Sequence, residues 1–245
     1  MLVDSLTSLS CLTSFPTKIA YTCCMSLLVM RIGIIGSGDV GRALGRGLVG
    51  RGHDVKIGSR SPHSEKLENW VKETGGKTST GTFAEASAHG ELIILATLGQ
   101  ATMEAIDHSG PKNLEGKIVV DVTNPLDFSK GPAPGLFVGL TDSLGEMVQR
   151  KVPRAKVVKC FNTVPNSRMV DPKLPGGGAE MLICGNDSEA KRRVVAVLNE
   201  LGWTGAIDIG GIESSRWLEA LVPLWARVGM ALGTWDHVFR VVRPS

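Results

Sequence analysis

The segment Ile34-Ile35-Gly36-Ser37-Gly38-Asp39-Val40-Gly41 carries three glycines at the spacing G-x-G-x-x-G. Between a strand and a helix, that spacing suits the holding of a pyrophosphate. Gly36 permits the tight turn, Gly38 lets the backbone approach the phosphates, and Gly41 lets the helix pack closely on the sheet. The first helical turn has no internal partners for its N–H groups, so they are free to face an anion. A tight turn with no ligand is the alternative. The Asp39 carboxylate suits the positive end of the helix but would repel a phosphate, so it must point away or cap the backbone.

The tip of the next strand bears on which dinucleotide binds. A chain that selects NAD usually places Asp or Glu there, about 20 residues past the loop, on the ribose 2′-hydroxyl. Here the tip reads Gly58-Ser59-Arg60, with no carboxylate. Ser59 can donate a hydrogen bond, and Arg60 can pair with a 2′-phosphate and stack beside the adenosine. Ser61, His63 and Lys66 follow closely. The reading is NADP rather than NAD; a merely solvated Arg60 would leave the missing acid unexplained.

The residues that would receive a hydride are harder to see. The one tyrosine, Tyr21, is followed four positions later by Met25, so no Tyr-x-x-x-Lys pair exists. The five cysteines (Cys11, Cys23, Cys24, Cys160 and Cys184) include no C-x-x-C pair, and no metal site is expected. Cys160 and Cys184 sit in apolar runs and read as buried, inert thiols of a reducing cytosol. His53 falls in a helix-to-strand turn and is expected at the surface, while His89, His108 and His237 show no partner pattern. No general acid or base is legible. Hydride exchange between two redox cofactors needs little acid–base help, because the cofactors carry the chemistry.

The elements that must position these groups follow from periodicity. Short apolar runs at residues 31–36, 54–57, 91–96, 117–122, 155–161 and 179–184 predict strands. Helical spacing marks the stretch from Val40 to Leu48, with Val40, Ala43, Leu44 and Leu48 inward, and residues 64–74. Residues 187–201 form another helix, capped by Asp187 and ended by Gly202. A last helix covers residues 212–227, with Trp217, Leu218, Leu221, Leu224 and Trp225 on one broad face and Pro223 placed to kink it. Alternating strands and helices predict an α/β protein: a Rossmann-type, doubly wound, mainly parallel sheet with a small helical C-terminal subdomain. The divisions read as a poorly ordered extension at residues 1–29, a nucleotide-binding domain at 30–165, and a C-terminal part at 166–245. That last part completes the sheet and adds helices for an acceptor site or for dimerisation. Ligands of such sheets lie beyond the carboxyl ends of the strands. Thr97-Leu98, Thr123-Asn124-Pro125 and Asn162-Thr163 stand there, with ordinary turn or cap chemistry as the alternative for each.

Composition sets outer limits. The 245 residues carry a net charge of +3, with 42% hydrophobic and 21% charged residues, which suits a globular chain and argues against nucleic acid. Only Asp4 and Lys18 are charged in residues 1–29, and the apolar run near residues 26–30 is too short to span a bilayer. An acid at position 4 does not fit a secretory leader, and the lack of arginine does not favour a transit peptide. Met25 and Met30 could each begin a shorter protein.

From Met30 to about Val242 the chain resembles the NADPH-dependent oxidoreductases of the coenzyme F420:NADP type. Five segments carry the resemblance: MRIGIIGSGDVGRALG, GHDVKIGSRSP, KVVKCFNTVPNSR, CGNDSEAKRRVVAVLNELG and DIGGIESSRWLEALVPLWARVGM. The first two are shared with other NADP-binding proteins, including ferric reductases and pyrroline-5-carboxylate reductases; the last three together are more particular. The resemblance implies reversible, pro-S hydride transfer between NADP(H) and a deazaflavin. It implies phosphates on Ser37, Gly38, Asp39 and Val40, and a 2′-phosphate on Ser59 and Arg60 with Lys66 assisting. Thr97, Leu98, Thr123 and Asn124 would face the nicotinamide, with Asn162 and Thr163 bordering the same crevice. Asn162 replaces a histidine found in some members, which bears on the acceptor. The Gly/Pro-rich loop at 129–139 reads as a lid or acceptor-specific wall. Rival readings are a soluble flavin or ferric reductase, an imine or pyrroline-carboxylate reductase, and a non-catalytic NADPH-sensing module. A long helical dimerisation domain is missing for the imine-reductase reading. A cytoplasmic homodimer joined through the tryptophan-bearing tail, with no membrane or nucleic-acid partner, completes the expectation.

Overall fold

The computed structural model describes residues 29–242, so the expectations for residues 1–28 lie outside the described residues. The chain runs β1 (Arg31–Ile35), α1 (Asp39–Val49), β2 (Asp54–Gly58), α2 (Glu65–Thr74), β3 (Thr78–Gly81), α3 (Phe83–His89) and β4 (Leu92–Leu95). Then come α4 (Thr102–Ser109), β5 (Ile118–Asp121), a small hairpin of β6 (Leu126–Asp127) and β7 (Gly135–Leu136), and α5 (Leu144–Lys151). β8 (Lys156–Lys159), β9 (Met181–Gly185), α6 (Ser188–Glu200), β10 (Ala206–Asp208) and α7 (Ser215–Leu232) complete it.

Eight strands form one sheet in the order β10-β9-β8-β5-β4-β1-β2-β3. All pairings are parallel except β8 with β9. This is a Rossmann-type sheet, as its six apolar runs predicted. The central strand β4 is buried along its whole length (Leu92–Leu95), because helices cover both faces. One apolar cluster under α1, α2 and α6 includes Ile32, Ile34, Leu44 and Trp70; a second, on the opposite face, includes Ile35, Ile93, Ile106 and Val148.

Several local expectations change. β3 and β10 lie at the two edges of the sheet, and their short sequences, TSTG and AID, carry no apolar run to reveal them. The helix α3 is a further element without a periodic signal, although Thr82 and Glu85 form a capping box at its start. On α1 the buried face is Gly41, Leu44, Gly45 and Leu48, with Val40 and Ala43 only half-buried. The glycines let α1 lie close: a Cβ on Gly45 would stand 2.9 Å from the Trp70 ring. α7 runs unbroken through Pro223. The strand expected to reach Phe161 stops at Lys159, and Phe161 itself adopts a left-handed φ of 62°. Asp187 does cap α6, accepting from the Ala190 N–H at 2.8 Å.

His53 is not at the surface. It is 2% exposed, its Nδ1 accepting from the Met30 N–H at 3.2 Å and its Nε2 bonding Glu200 Oε2 at 2.7 Å. The turn position was legible; the carboxylate arriving from α6, 147 residues away, was not.

The layers meet at backbone distance where α3 crosses β1. A Cβ on Gly33 would lie 2.1 Å from the carbonyl oxygen of Ala86. Gly33→Ala should therefore cost about 1–3 kcal/mol of unfolding free energy through overpacking. A urea titration reads this as a lower midpoint at unchanged slope.

Candidate functional site

Beyond the carboxyl ends of β1, β2 and β4 lies a cavity of about 500 Å³, within the range of small-molecule sites. Gly36, Ser37, Gly38, Asp39 and Val40 form one wall, Ser59 and Arg60 a second, and Thr97 and Leu98 a third. The structure thus brings together nine of the residues singled out from sequence.

The three glycines meet different demands. Gly36 has φ +122°, and a Cβ there would sit 2.3 Å from the Ala96 carbonyl oxygen. A Cβ on Gly41 would sit 2.2 Å from the Gly36 carbonyl oxygen, so helix and strand touch there. A Cβ on Gly38 would meet nothing within 4 Å and would enter open space at the helix start. No side chain caps α1, so its first N–H groups are left for a ligand. The Asp39 carboxylate turns outward to Arg42. The residues therefore fit a pyrophosphate.

At the tip of β2 the Ser59 hydroxyl accepts from Ser37 Oγ and from the Ser61 N–H, both at 3.1 Å. Its own proton remains available to a bound anion. Arg60 is exposed beside it. Lys66 is exposed on α2 and does not line the cavity. Glu104 and His108, one turn apart on α4, do line it. Sequence reasoning passed over Glu104 and set His108 aside for want of a partner pattern, since an isolated acid and histidine on a short helix carry no signal of their own.

The remaining polar strand ends lie one step further along the sheet, outside this lining. Thr123 is 1% exposed, and its hydroxyl donates to Asp121 Oδ1 at 2.6 Å. It is placed in a buried network rather than on the crevice surface. Asn162 Nδ2 donates to Asn124 Oδ1 at 2.6 Å and to the Thr123 carbonyl at 3.3 Å. Asn162 Oδ1 is buried with no hydrogen-bond partner among the described residues. Thr163 is half-buried in the adjoining turn.

Beneath these turns sits an ion cluster that sequence reading missed. Lys159 Nζ lies 2.9 Å from Asp121 Oδ2 and 2.7 Å from Glu219 Oε1, with all three side chains at 0% exposure. Its third bond goes to the Thr123 carbonyl at 2.7 Å. Burial pushes the Lys159 pKa down, but Asp121 and Glu219 outweigh it and hold the value above that of a free lysine. Lys159 is thus a fixed cation, not a base. The second carboxylate is balanced by the start of α5, where Leu144 and Gly145 donate their N–H groups to Glu219 at 2.9 Å each. The available signal was a charge inside each apolar run, Asp121 in KIVVDV and Lys159 in AKVVKCF. Nearby, Cys160 and Cys184 are free and buried, and burial raises both thiol pKa values, Cys184 to about 11. Neither is a nucleophile at neutral pH.

The glycine geometry separates binding from stability. Gly38→Ala should leave stability within about 0.5 kcal/mol while weakening dinucleotide affinity by about tenfold or more. Gly41→Ala should lower the melting temperature itself. Thermal unfolding with and without ligand tells the two apart.

The chain also has informative relatives. Residues 31–125 match the model of the family described as NADP oxidoreductase, coenzyme F420-dependent. The F420-dependent NADP reductase of Methanocaldococcus jannaschii is 32% identical over 204 residues, covering 80% of this chain and 90% of that protein. A solved structure, a candidate F420-dependent NADP reductase from an Arthrobacter species, is 41% identical. It superposes with a TM-score of 0.84 over 87% of this chain and 100% of that one. The rat metalloreductase STEAP3 is 31% identical over 202 residues, but this stretch covers only 38% of its length. Cavity, glycine loop and relatives agree: the chain belongs to the coenzyme F420-dependent NADP oxidoreductase family.

Proposed function

We propose that this protein is an NADP-dependent oxidoreductase that moves a hydride between NADP(H) and a deazaflavin, coenzyme F420. The observation that carries the cofactor half is the tip of β2. Ser59 has a free proton and Arg60 a free guanidinium, with no carboxylate to exclude a 2′-phosphate. The deazaflavin half rests on the relatives' activity.

NADPH supplies the hydride, and the chain supplies the setting. The N–H groups at the start of α1 bind the pyrophosphate, and Ser59 and Arg60 orient the adenosine end. Leu98, 83% exposed at the cavity mouth, offers an apolar edge for a flat ring. The Asn124–Asn162 amide pair stands at the strand ends on the side read as the nicotinamide side, with Thr97 and Thr163 at its border. The loop at 129–139 holds the turn and second strand of the β6–β7 hairpin and is tied to the Pro125 carbonyl by the Phe137 N–H at 3.0 Å. The exposed rings of Phe128 and Phe137 make it an acceptor-facing wall. No side chain needs to move a proton.

The same reading includes a cytoplasmic homodimer. Trp217, Leu224 and Leu232 leave apolar groups on the outer face of α7, which suits a second copy. Among the described residues no helix is long and apolar enough to cross a membrane. A single monomeric mass by light scattering across micromolar concentrations would count against the dimer.

The test is an absorbance assay with NADPH and either coenzyme F420 or FMN. Bleaching of the deazaflavin supports the reading, and turnover of FMN alone would make the protein a flavin reductase. Binding without turnover of either would favour a sensor. Arg60→Ala should raise the KM for NADPH by about 10–100-fold with little change in kcat, the loss of a charged hydrogen-bond partner. It should leave the KM for NADH nearly unchanged.

A further inference from the structure

The buried cluster of Asp121, Lys159 and Glu219 holds the turn that faces the nicotinamide end. Four hydrogen bonds converge on Thr123. Its N–H and hydroxyl donate to Asp121 Oδ1 at 2.9 and 2.6 Å. Its carbonyl accepts from Lys159 Nζ at 2.7 Å and from Asn162 Nδ2 at 3.3 Å. Asn124, the next residue, is joined to Asn162 at 2.6 Å. On the β8 side, Phe161 has a left-handed φ of 62°, and its ring is held edge-on against Trp203 at 6.2 Å. On the far side, Glu219 brings in α7 and the α5 N-terminus. A Cβ on Gly145 would stand 2.4 Å from Ser215 Oγ, so α5 and α7 are in close contact above Lys159.

A buried ion cluster is often no more stabilising than apolar packing of the same volume. What apolar packing would not supply is directed bonds onto one peptide. We propose that the cluster is a positioning device. Through Thr123 it sets where the Asn124–Asn162 amide pair stands, and through Glu219 it makes that placement depend on helix α7. Asp121, Lys159, Thr123 and Glu219 are positioning residues here, acting on the nicotinamide ring through the two asparagines. The inference rests on the hydride-transfer reading for its kinetic consequence, but not for its structural one.

Two variants test it in the full chain. Thr123→Val keeps the volume and removes one bond to Asp121, and Glu219→Gln removes one charge. Affinity for 2′,5′-ADP, which reaches only the Ser59–Arg60 end, should stay within about twofold. The circular dichroism band of the bound reduced nicotinamide should weaken. The kcat for deazaflavin reduction should fall by about tenfold or more at a nearly constant KM for NADPH. The double variant should be no slower than the worse single one, because both act through the same turn. Thr123→Ser, which restores the hydroxyl, should recover the dichroism and the rate. A lower melting temperature with unchanged dichroism and kcat would overturn the proposal and leave the cluster purely structural; additive rate losses would also overturn it. If Glu219→Gln does not fold, the Val and Ser variants at Thr123 decide alone. If the wild-type protein turns over no deazaflavin, the activity reading fails by itself. The dichroism and 2′,5′-ADP arms then still decide whether the cluster positions the ring.

Discussion

A lysine with no access to solvent needs its charge matched inside the protein, and Lys159 is such a lysine. Removing an ammonium from water costs several kcal/mol even after relaxation, and removing one partner of a buried pair typically costs about 3–5 kcal/mol. The fold meets this demand with two carboxylates, a peptide carbonyl and, behind the second carboxylate, the positive end of α5. The two carboxylates come from different parts of the chain, β5 and α7. Asp121 must neighbour Lys159, which the β5–β8 register provides. Glu219 must point inward from α7, which requires α7 to lie over α5. The placement of the C-terminal helix against the sheet is therefore bound to one buried charge.

A second constraint is close approach. Gly33, Gly36 and Gly41 each stand where a Cβ would collide with a backbone oxygen. They let α3 and α1 touch the sheet, which brings the first turn of α1 beside the tips of β2 and β4. Gly38 differs, because its missing side chain leaves space for something other than the protein itself. One motif thus combines two physical requirements, packing behind the loop and an open cradle in front of it.

The two ends of the crevice are built on different terms. The Ser59–Arg60 end is an open cavity with exposed Arg60, lined by the turn after β1 and the tips of β2 and β4. The Asn124–Asn162 end is assembled from strand ends and stabilised by the buried network. The two amides there are joined to each other, and Asn162 keeps one buried acceptor unsatisfied by protein. Such an atom is costly to leave unmatched, so it marks a point where the protein's own bonding is incomplete.

What the sequence alone determined was the local, periodic part. Six apolar runs located the central strands, the glycine spacing located the tight turn between β1 and α1, and Ser59-Arg60 without an acid pointed to NADP rather than NAD. These follow from short-range rules, in which a side chain's neighbours along the chain decide its role. Edge strands such as Thr78–Gly81 and Ala206–Asp208 were not legible, because pairing on one side of a sheet needs no apolar signature. Nor was the burial of His53, which depends on Glu200, or the commitment of Thr123 to Asp121. A charged residue in a strand looks the same in sequence whether it meets water or a counter-charge. Only the tertiary structure decided that Asp121, Lys159 and Glu219, spread over 98 positions, meet in one dry place. Desolvation is a property of three-dimensional surroundings and leaves no periodic trace along the chain.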